Sequence, residues 1–471
     1  MPSSKAGIIP RLQHRSAFSH LPGDLLNEPS LARTTSDALR PSACPGLLRI
    51  VTALDGGISR IKLPGGVLTA IQAEAVASAA ERYAGGVIEA TNRGNLQIRG
   101  IGVQQAALIE LLLAAGLGPS QAAGDDVRNL MLSPTAGLDR QMLCDTRPLA
   151  TQILRSLEST PRFHQLSAKF AVQLDGGEGM AMLEHPHDLW LSALLLEGEV
   201  WLAFGLAGCP LGSAPLGAVP LAQGHALVMA VLERFLDLAR PDQARMRQLL
   251  KESDAQSFVE QLPLPVRRDP VVLGWRREAT PADLFLGTYP QRQTARVAIG
   301  AAPALGRLTP AQLRGAARLA TSMGDASLRL TPWQSLLLPN VAIAQAAAVS
   351  SGLSDLGLLC TPGHPLARMV ACTGAAGCAK GLADTKADAL QLAKLLQSQG
   401  PAASVHLSGC PRSCAMAHTA AATLLAVAPG RYDLFLRAGG QPGFGALRAR
   451  NLTLEAAGAL LDACSRSNLD D

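Results

Sequence analysis

Gly66-Val67-Leu68-Thr69-Ala70-Ile71-Gln72 and, 240 residues further on, Gly306-Arg307-Leu308-Thr309-Pro310-Ala311-Gln312 carry glycine, leucine, threonine and glutamine at the same four places. A threonine followed three residues later by glutamine is a capping box. The hydroxyl accepts from the N–H of the third helical residue, and the glutamine amide reaches back to the cap. Both boxes open Ala-rich helices, which on their own resemble one another by chance. The register, however, continues past them: Thr91 and Leu96 fall on Thr331 and Leu336, Arg128 on Arg368, and Ala136-Gly137 on Ala376-Gly377. The chain therefore reads as a duplicated α+β fold. In the first half, strands are expected at 60–63, 86–91 and 96–101 around a helix at 69–83, followed by a second α/β segment.

This pattern divides the chain into a polar tail (1–40), a first half-domain (41–122), a first larger α/β domain (123–215), a helical connector (216–288), a second half-domain (289–350) and a last α/β domain (351–471). Within the connector, 227–238 and 244–250 show helical spacing, and Pro263, Pro265 and Pro270 then break it.

The last segment carries Cys372-Thr-Gly-Ala-Ala-Gly-Cys378 and, after 31 residues, Cys410-Pro-Arg-Ser-Cys414. A 4Fe-4S cluster needs four thiolates on small-residue backbone that can wrap a bulky inorganic core. Gly374, Ala375, Ala376 and Gly377 supply it, whereas structural zinc prefers tighter Cys-x2-Cys pairs. Under the 240-residue offset Cys372 falls on Leu132 and Cys378 on Leu138, so only one half is expected to bind metal. Cys44, Cys144, Cys209, Cys360 and Cys464 have no partner spacing and read as core or free thiols.

Composition sets the class. With 48% hydrophobic and 17% charged residues, 471 residues suffice for two or three domains with large cores. A formal charge of +5 without a basic run excludes nucleic acid as the expected partner and suits a polyanionic small substrate. No apolar stretch has signal-peptide or bilayer length, so a cytoplasmic enzyme with no membrane partner is expected. Nine cysteines, an odd number, argue against a disulfide framework. No dinucleotide fingerprint or P-loop is present.

Thr91-Asn92-Arg93-Gly94-Asn95-Leu96-Gln97-Ile98-Arg99 alternates as a strand would, placing Arg93, Asn95, Gln97 and Arg99 on one face. Such a face either binds carboxylates through guanidinium forks or is solvated. Arg128 and Lys169 are single cations of the same two readings, and the repeat puts the Arg128 loop where the cysteine loop lies in the other half. His185-Pro-His187-Asp188 reads as two surface histidines beside a turn, or as part of a two-histidine, one-carboxylate iron site. His406 and His418 flank the last cysteine pair and are expected to pack around the cluster.

The duplicated half, the Cys-x5-Cys…Cys-x3-Cys pattern and the Arg-rich segment together resemble the nitrite and sulfite reductase superfamily, over about residues 41–440. The resemblance implies a pseudo-twofold fold with two ferredoxin-like half-domains. It makes Cys414 the ligand that bridges to sirohaem iron, and Arg93, Arg128 and Lys169 the anion-facing cations. Cys44-Pro-Gly46, the 91–101 segment, Leu330-Thr-Pro-Trp333 and Val405-His-Leu-Ser-Gly-Cys410 are more similar to the cobalamin-pathway branch, the precorrin-3B synthases. Ala171, where sulfite reductases have a second lysine, Arg412, where asparagine is usual, and the shorter chain point the same way.

That branch implies hydroxylation of the tetrapyrrole precorrin-3A at C20 with O2 and lactone formation. Electrons originating from NADH would arrive through a partner reductase, and a mononuclear iron or the cluster-linked site would activate oxygen. The alternatives are a sirohaem-dependent nitrite or sulfite reductase and, in another class, a non-catalytic iron–sulfur electron carrier.

Overall fold

The computed structural model describes residues 44–279, 285–396, 404–417, 420–438 and 443–467; the expected tail (1–40) and His418 lie outside the described residues. The chain runs β1 (Val51–Ala53), β2 (Gly56–Ile61), β3 (Val67–Thr69), α1 (Ala70–Tyr83), β4 (Val87–Ala90), β5 (Leu96–Ile101) and α2 (Gln105–Ala114). It continues through β6 (Leu130–Leu132), α3 (Arg147–Ser159), β7 (Val172–Asp175), β8 (His187–Leu196), β9 (Glu199–Gly208), β10 (Gly217–Pro220) and α4 (Gly224–Leu238), then the short helices α5 (Met246–Leu249), α6 (Ala255–Glu260) and α7 (Pro270–Gly274).

Both patterns then recur. β11 (Gly287–Pro290), β12 (Arg296–Ala301), β13 (Arg307–Leu308), α8 (Pro310–Met323), β14 (Ser327–Leu330), β15 (Leu336–Ala342) and α9 (Ala346–Asp355) repeat the first. β16 (Met369–Ala371), α10 (Thr385–Leu395), β17 (Val405–Ser408), β18 (Ala422–Ala428), β19 (Arg431–Leu436), β20 (Ala446–Leu452) and α11 (Leu454–Ser467) repeat the second.

The capping boxes form as a matched pair. Thr69 Oγ1 accepts from Gln72 N at 3.2 Å and Thr69 N donates to Gln72 Oε1 at 3.0 Å; Thr309 and Gln312 repeat both distances. Each glutamine also donates from Nε2 to the carbonyl just past the following helix of its half, Ala115 or Leu356. One residue thereby starts one helix and ties off another.

The ferredoxin-like halves are interlocked. Their sheets run β1-β2-β5-β4-β13 and β11-β12-β15-β14-β3, so each half lends one strand to the other. Leu308 pairs with Ile88, and Leu68 with Leu328. One core runs through both halves, with Leu68, Ile88, Ile98, Leu308, Leu328 and Leu338 fully buried. The half-domains expected at 41–122 and 289–350 are thus one body, and position 350 falls inside α9. The exchange brings backbones into close approach. Gly66 has φ +69°, and a Cβ there would stand 1.9 Å from Leu330 O, so no other residue fits.

The larger domains share a second topology. In each, three parallel strands (β6, β7, β8 or β16, β17, β18) are followed by two antiparallel ones, in sheets β10-β9-β8-β7-β6 and β16-β17-β18-β19-β20. The expected helical connector (216–288) is corrected here. β10 pairs with β9, and Leu227, Val231, Phe235, Met246 and Phe258 are buried in the same core as Ile153, Phe170 and Leu191. Helical spacing shows that a face is apolar and leaves open which core receives it. The cysteine register also moves by one. The three-residue strands β6 and β16 are followed by Ser133 and Cys372, so Ser133, not Leu132, holds the place of Cys372.

Candidate cluster and anion site

The four cysteines come from two strand ends. β16 delivers Cys372, and a Gly-Ala turn leads to Cys378; β17 ends at Ser408, with Cys410 and Cys414 in the loop beyond. The loops pack backbone on backbone. A Cβ on Gly409 would lie 3.2 Å from Gly381 Cα and 3.3 Å from Gly374 Cα, and one on Gly374 would lie 2.4 Å from Ala383 O. Gly409 N donates to Cys372 Sγ at 3.2 Å, and Thr385 Oγ1 stands 3.4 Å from the same sulfur.

Burial pushes the Cys414 thiol up, and the charges of Cys410, Cys372 and Cys378 push the same way, so the four sulfurs share one neighbourhood. Cys414 nevertheless keeps exposed surface. Among the described residues no three His, Cys, Asp or Glu side chains close on one point as a single ion needs. Four thiols on small-residue loops from separate strand ends fit a cluster larger than one ion.

Both ferredoxin-like halves grip this loop through equivalent turns: Asn92 Nδ2 donates to Cys414 O at 3.4 Å and Gln334 Nε2 to Ala415 O at 2.9 Å. Arg60 and Arg412 lie within electrostatic reach of Cys414. Arg60 on β2 feels Cys414 and Cys44 but is lowered chiefly by burial. Arg93 is pushed down to about 10 by burial, and then by the charges of Arg245 and Arg60. Both side chains keep some exposed surface although they sit deep, as residues lining a cleft do. Among the described residues neither guanidinium has a carboxylate within ion-pair distance. Lys62, beneath them, donates to the Asp125 carbonyl and is held down at about 8 by burial.

The expected strand face is dispersed. Thr91–Asn95 is a turn, closed by Thr91 N donating to Asn95 O at 2.9 Å, with Gly94 at φ +67°; β5 begins only at Leu96. Arg93 therefore stands in the turn, within electrostatic reach of Arg245, Arg60, Asp188 and Cys44. Asn95 Oδ1 accepts from Leu63 N at 2.8 Å and so does structural work. Gln97 faces Arg60 across the β2–β5 ladder and, with its amide oriented to satisfy both groups, accepts from Arg60 at 2.8 and 3.1 Å.

Arg99 is spent elsewhere: it forks onto Asp55 at 2.9 Å twice and donates to Gly377 O at 3.3 Å, clamping the cysteine loop. Arg128 pairs with Glu158 at 3.0 Å and touches Lys62 O at 3.4 Å. Lys169 is exposed, and among the described residues its side chain makes no hydrogen bond or ion pair. Of the six candidates, Arg93 lies within electrostatic reach of Arg60, and Gln97 meets Arg60 across the ladder.

The histidine reading changes as well. His185 and His187 are 1% exposed, not surface residues. The Asp188 carboxylate is taken by Arg245 Nε at 2.8 Å and by the N–H groups of Ala171 and Met246, so it has no place in a facial triad. His187 Nδ1 lies 2.7 Å from His185 O, and burial, then Arg93, brings its pKa to about 3, so the ring is neutral. His406 is buried on β17. Arg60 and Arg245 were missed by sequence reasoning. Pairing the Arg60 strand with the Gln97 strand would have found the first; nothing local marks the second.

Comparison with known proteins agrees with this geometry. The family model described as nitrite and sulphite reductase 4Fe-4S domain matches residues 123–268, the half without the four cysteines, and the ferredoxin-like half domain model matches 54–115 and 289–356. The chloroplastic ferredoxin–nitrite reductase of Zea mays is 32% identical over 392 residues, covering 77% of this chain and 68% of that protein. A precorrin-3B synthase from Sinorhizobium sp is 26% identical over 401 residues, covering 85% and 83%. The solved Mycobacterium tuberculosis NirA protein shares the fold, with a TM-score of 0.74 over 87% of this chain and 80% of that one, at 23% identity.

Proposed function

Because the chain belongs to the nitrite and sulphite reductase family, a family of oxidoreductases, we propose that it holds one 4Fe-4S cluster on Cys372, Cys378, Cys410 and Cys414 and binds an acid-bearing tetrapyrrole beside Cys414. The observation that carries this reading is the pair Arg60 and Arg93, two deep guanidiniums without a carboxylate partner among the described residues. A buried charge left unpaired is costly, and a ligand carboxylate relieves it. A tetrapyrrole with acetate and propionate arms supplies several carboxylates on a wide apolar ring.

Within the family, we take precorrin-3A as the substrate and C20 hydroxylation with O2, closing a ring-A lactone, as the reaction. When bound, the cluster supplies electrons one at a time. The chain's own residues bind and orient: Arg60 and Arg93 hold carboxylates, Gln97 fixes Arg60, and Arg99 with Asp55 holds the cysteine loop. Reducing equivalents from NADH come through a partner reductase. Oxygen activation would fall to a mononuclear iron or the cluster-linked site when bound, and no residue is assigned to it. The 26% match supports this reading by spanning most of both chains.

The second reading, a sirohaem-dependent nitrite or sulfite reductase, is favoured by the 32% identity to the maize enzyme. A small oxyanion needs several cations on one point. Here Arg128 is neutralised by Glu158, Lys169 stands apart, and Ala171 is buried where a second lysine would serve. A simple electron carrier leaves Arg60 and Arg93 without a role. Aerobic incubation of the purified protein with precorrin-3A and a reductant tests the proposal: a hydroxylated lactone product is expected. Strong sirohaem absorption in the purified protein together with nitrite or sulfite reduction, and no tetrapyrrole turnover, would overturn it.

A further inference from the structure

Glu89 on β4 is 8% exposed and meets three cations: Arg307 Nη2 at 2.8 Å, Lys386 Nζ at 3.8 Å and Arg99 Nε at 3.9 Å. Its second oxygen lies 3.4 Å from the Thr373 hydroxyl, next to Cys372. Lys386, on α10 and also 8% exposed, donates to Ala371 O at 3.1 Å and Leu305 O at 2.7 Å, so its ammonium is fixed against the residue preceding Cys372. Arg99 is shared with Asp55. Three cations and two carboxylates leave one net positive charge, held by groups from both ferredoxin-like halves and the cysteine domain. Packing alone does not require it, since well-packed apolar side chains can replace buried ion networks without loss of stability.

We propose that the Lys386 ammonium, anchored by Glu89, raises the reduction midpoint of the cluster carried by Cys372. This rests on the cluster reading above. Reduction adds one negative charge to the cluster, and a cation fixed nearby in a low-dielectric interior favours the reduced form. Net charge and hydrogen bonds to the sulfurs set the potentials of such clusters. Both converge on Cys372, which accepts from Gly409 N and feels the Lys386 charge. Glu89 opposes the cation and fixes its position, so the two residues act with opposite signs.

The test is a redox titration, followed by electron paramagnetic resonance, of the full-length wild type and of Lys386→Met, Lys386→Arg and Glu89→Gln, each first assayed for iron and sulfide. Lys386→Met should lower the one-electron reduction equilibrium constant about tenfold, a shift of about 59 mV. Glu89→Gln should move the midpoint up, and Lys386→Arg should stay within about threefold of wild type. Loaded Lys386→Met and Glu89→Gln proteins with wild-type midpoints overturn the tuning role. If Lys386→Met does not hold the cluster, an unchanged midpoint in Glu89→Gln overturns it alone. A wild type without iron and sulfide overturns the cluster reading instead.

Discussion

The two large α/β domains share strand order and direction, yet the strand ends that carry Cys372 and lead to Cys410 in one carry a serine and two glycines in the other. After β16 and β17 stand Cys372 and Gly409-Cys410; after β6 and β7 stand Ser133 and Gly176-Gly177. In the first domain the space is closed from within. Ser133 donates to Met180 O at 2.7 Å, Gly177 N donates to Asp175, Gly176 N donates to Glu178, and Arg277 pairs with Asp175 at 2.9 Å. Hydroxyls and carboxylates satisfy the loop's own N–H groups there. In the second, the loops carry small residues and thiols, and Gly409 N donates to a sulfur, Cys372 Sγ. The scaffold sets where loops meet; side-chain chemistry decides whether the meeting point is filled or open.

The largest effect should come from Cys378→Ser, which should lose the cluster's iron and sulfide, whereas Ser133→Ala on the filled side should leave both at wild-type content. Equal iron and sulfide in the two proteins would break the asymmetry. Arg93→Ala should weaken tetrapyrrole binding ten- to a hundredfold, from about 1.5–3 kcal/mol per charge-assisted hydrogen bond. Arg128→Ala, whose guanidinium already serves Glu158, should change binding less than about threefold by the same scale; titration of the tetrapyrrole into each variant ranks them.

Burial, and then the Asp175 carboxylate, pushes Glu178 well above the ordinary carboxylate range. Its contribution is therefore complete below the unfolded value, about pH 4.3, and is lost as pH rises toward the folded value. Wild type should lose up to about 1.4 kcal/mol per pH unit relative to Glu178→Gln as pH rises from about 4.3 toward that folded value. Denaturant midpoints with the same pH slope in both proteins would contradict this. The smallest effects belong to the twin caps: Thr69→Ala and Thr309→Ala should each cost about 1 kcal/mol, and unequal losses in chemical denaturation would show that the halves are not energetically alike.

Much of this was legible in the sequence, for physical reasons. Capping boxes are local, so Thr69–Gln72 and Thr309–Gln312 announce their helices. Cluster cysteines are constrained by spacing, so Cys372 to Cys414 stand out. The strand exchange was hidden because β13 has two residues, too few for any periodicity to show. Partners distant in sequence were hidden too: Arg99 meets Asp55, Arg128 meets Glu158, and Asp188 meets Arg245, each turning an apparent ligand into a brace or bracing one. The alternation of Thr91–Arg99 misled because a turn with Gly94 in the left-handed region interrupts it. Only the pairing of Arg60 with Gln97 across β2 and β5 brings Arg60 into view.

The strand swap between the halves also sets a timetable. Thr69 waits for Ser327, its partner on β14, about 260 residues later in the chain. At synthesis rates of about 5–20 residues per second, that gap lasts on the order of 13–50 s. For most of it β4 has an open edge, until β13 arrives, and β3 has no sheet to join. An open strand edge is a template for wrong pairing. The nascent first half is therefore the stage at which this protein most needs a chaperone, and truncations ending before residue 307 should aggregate rather than persist as half-proteins.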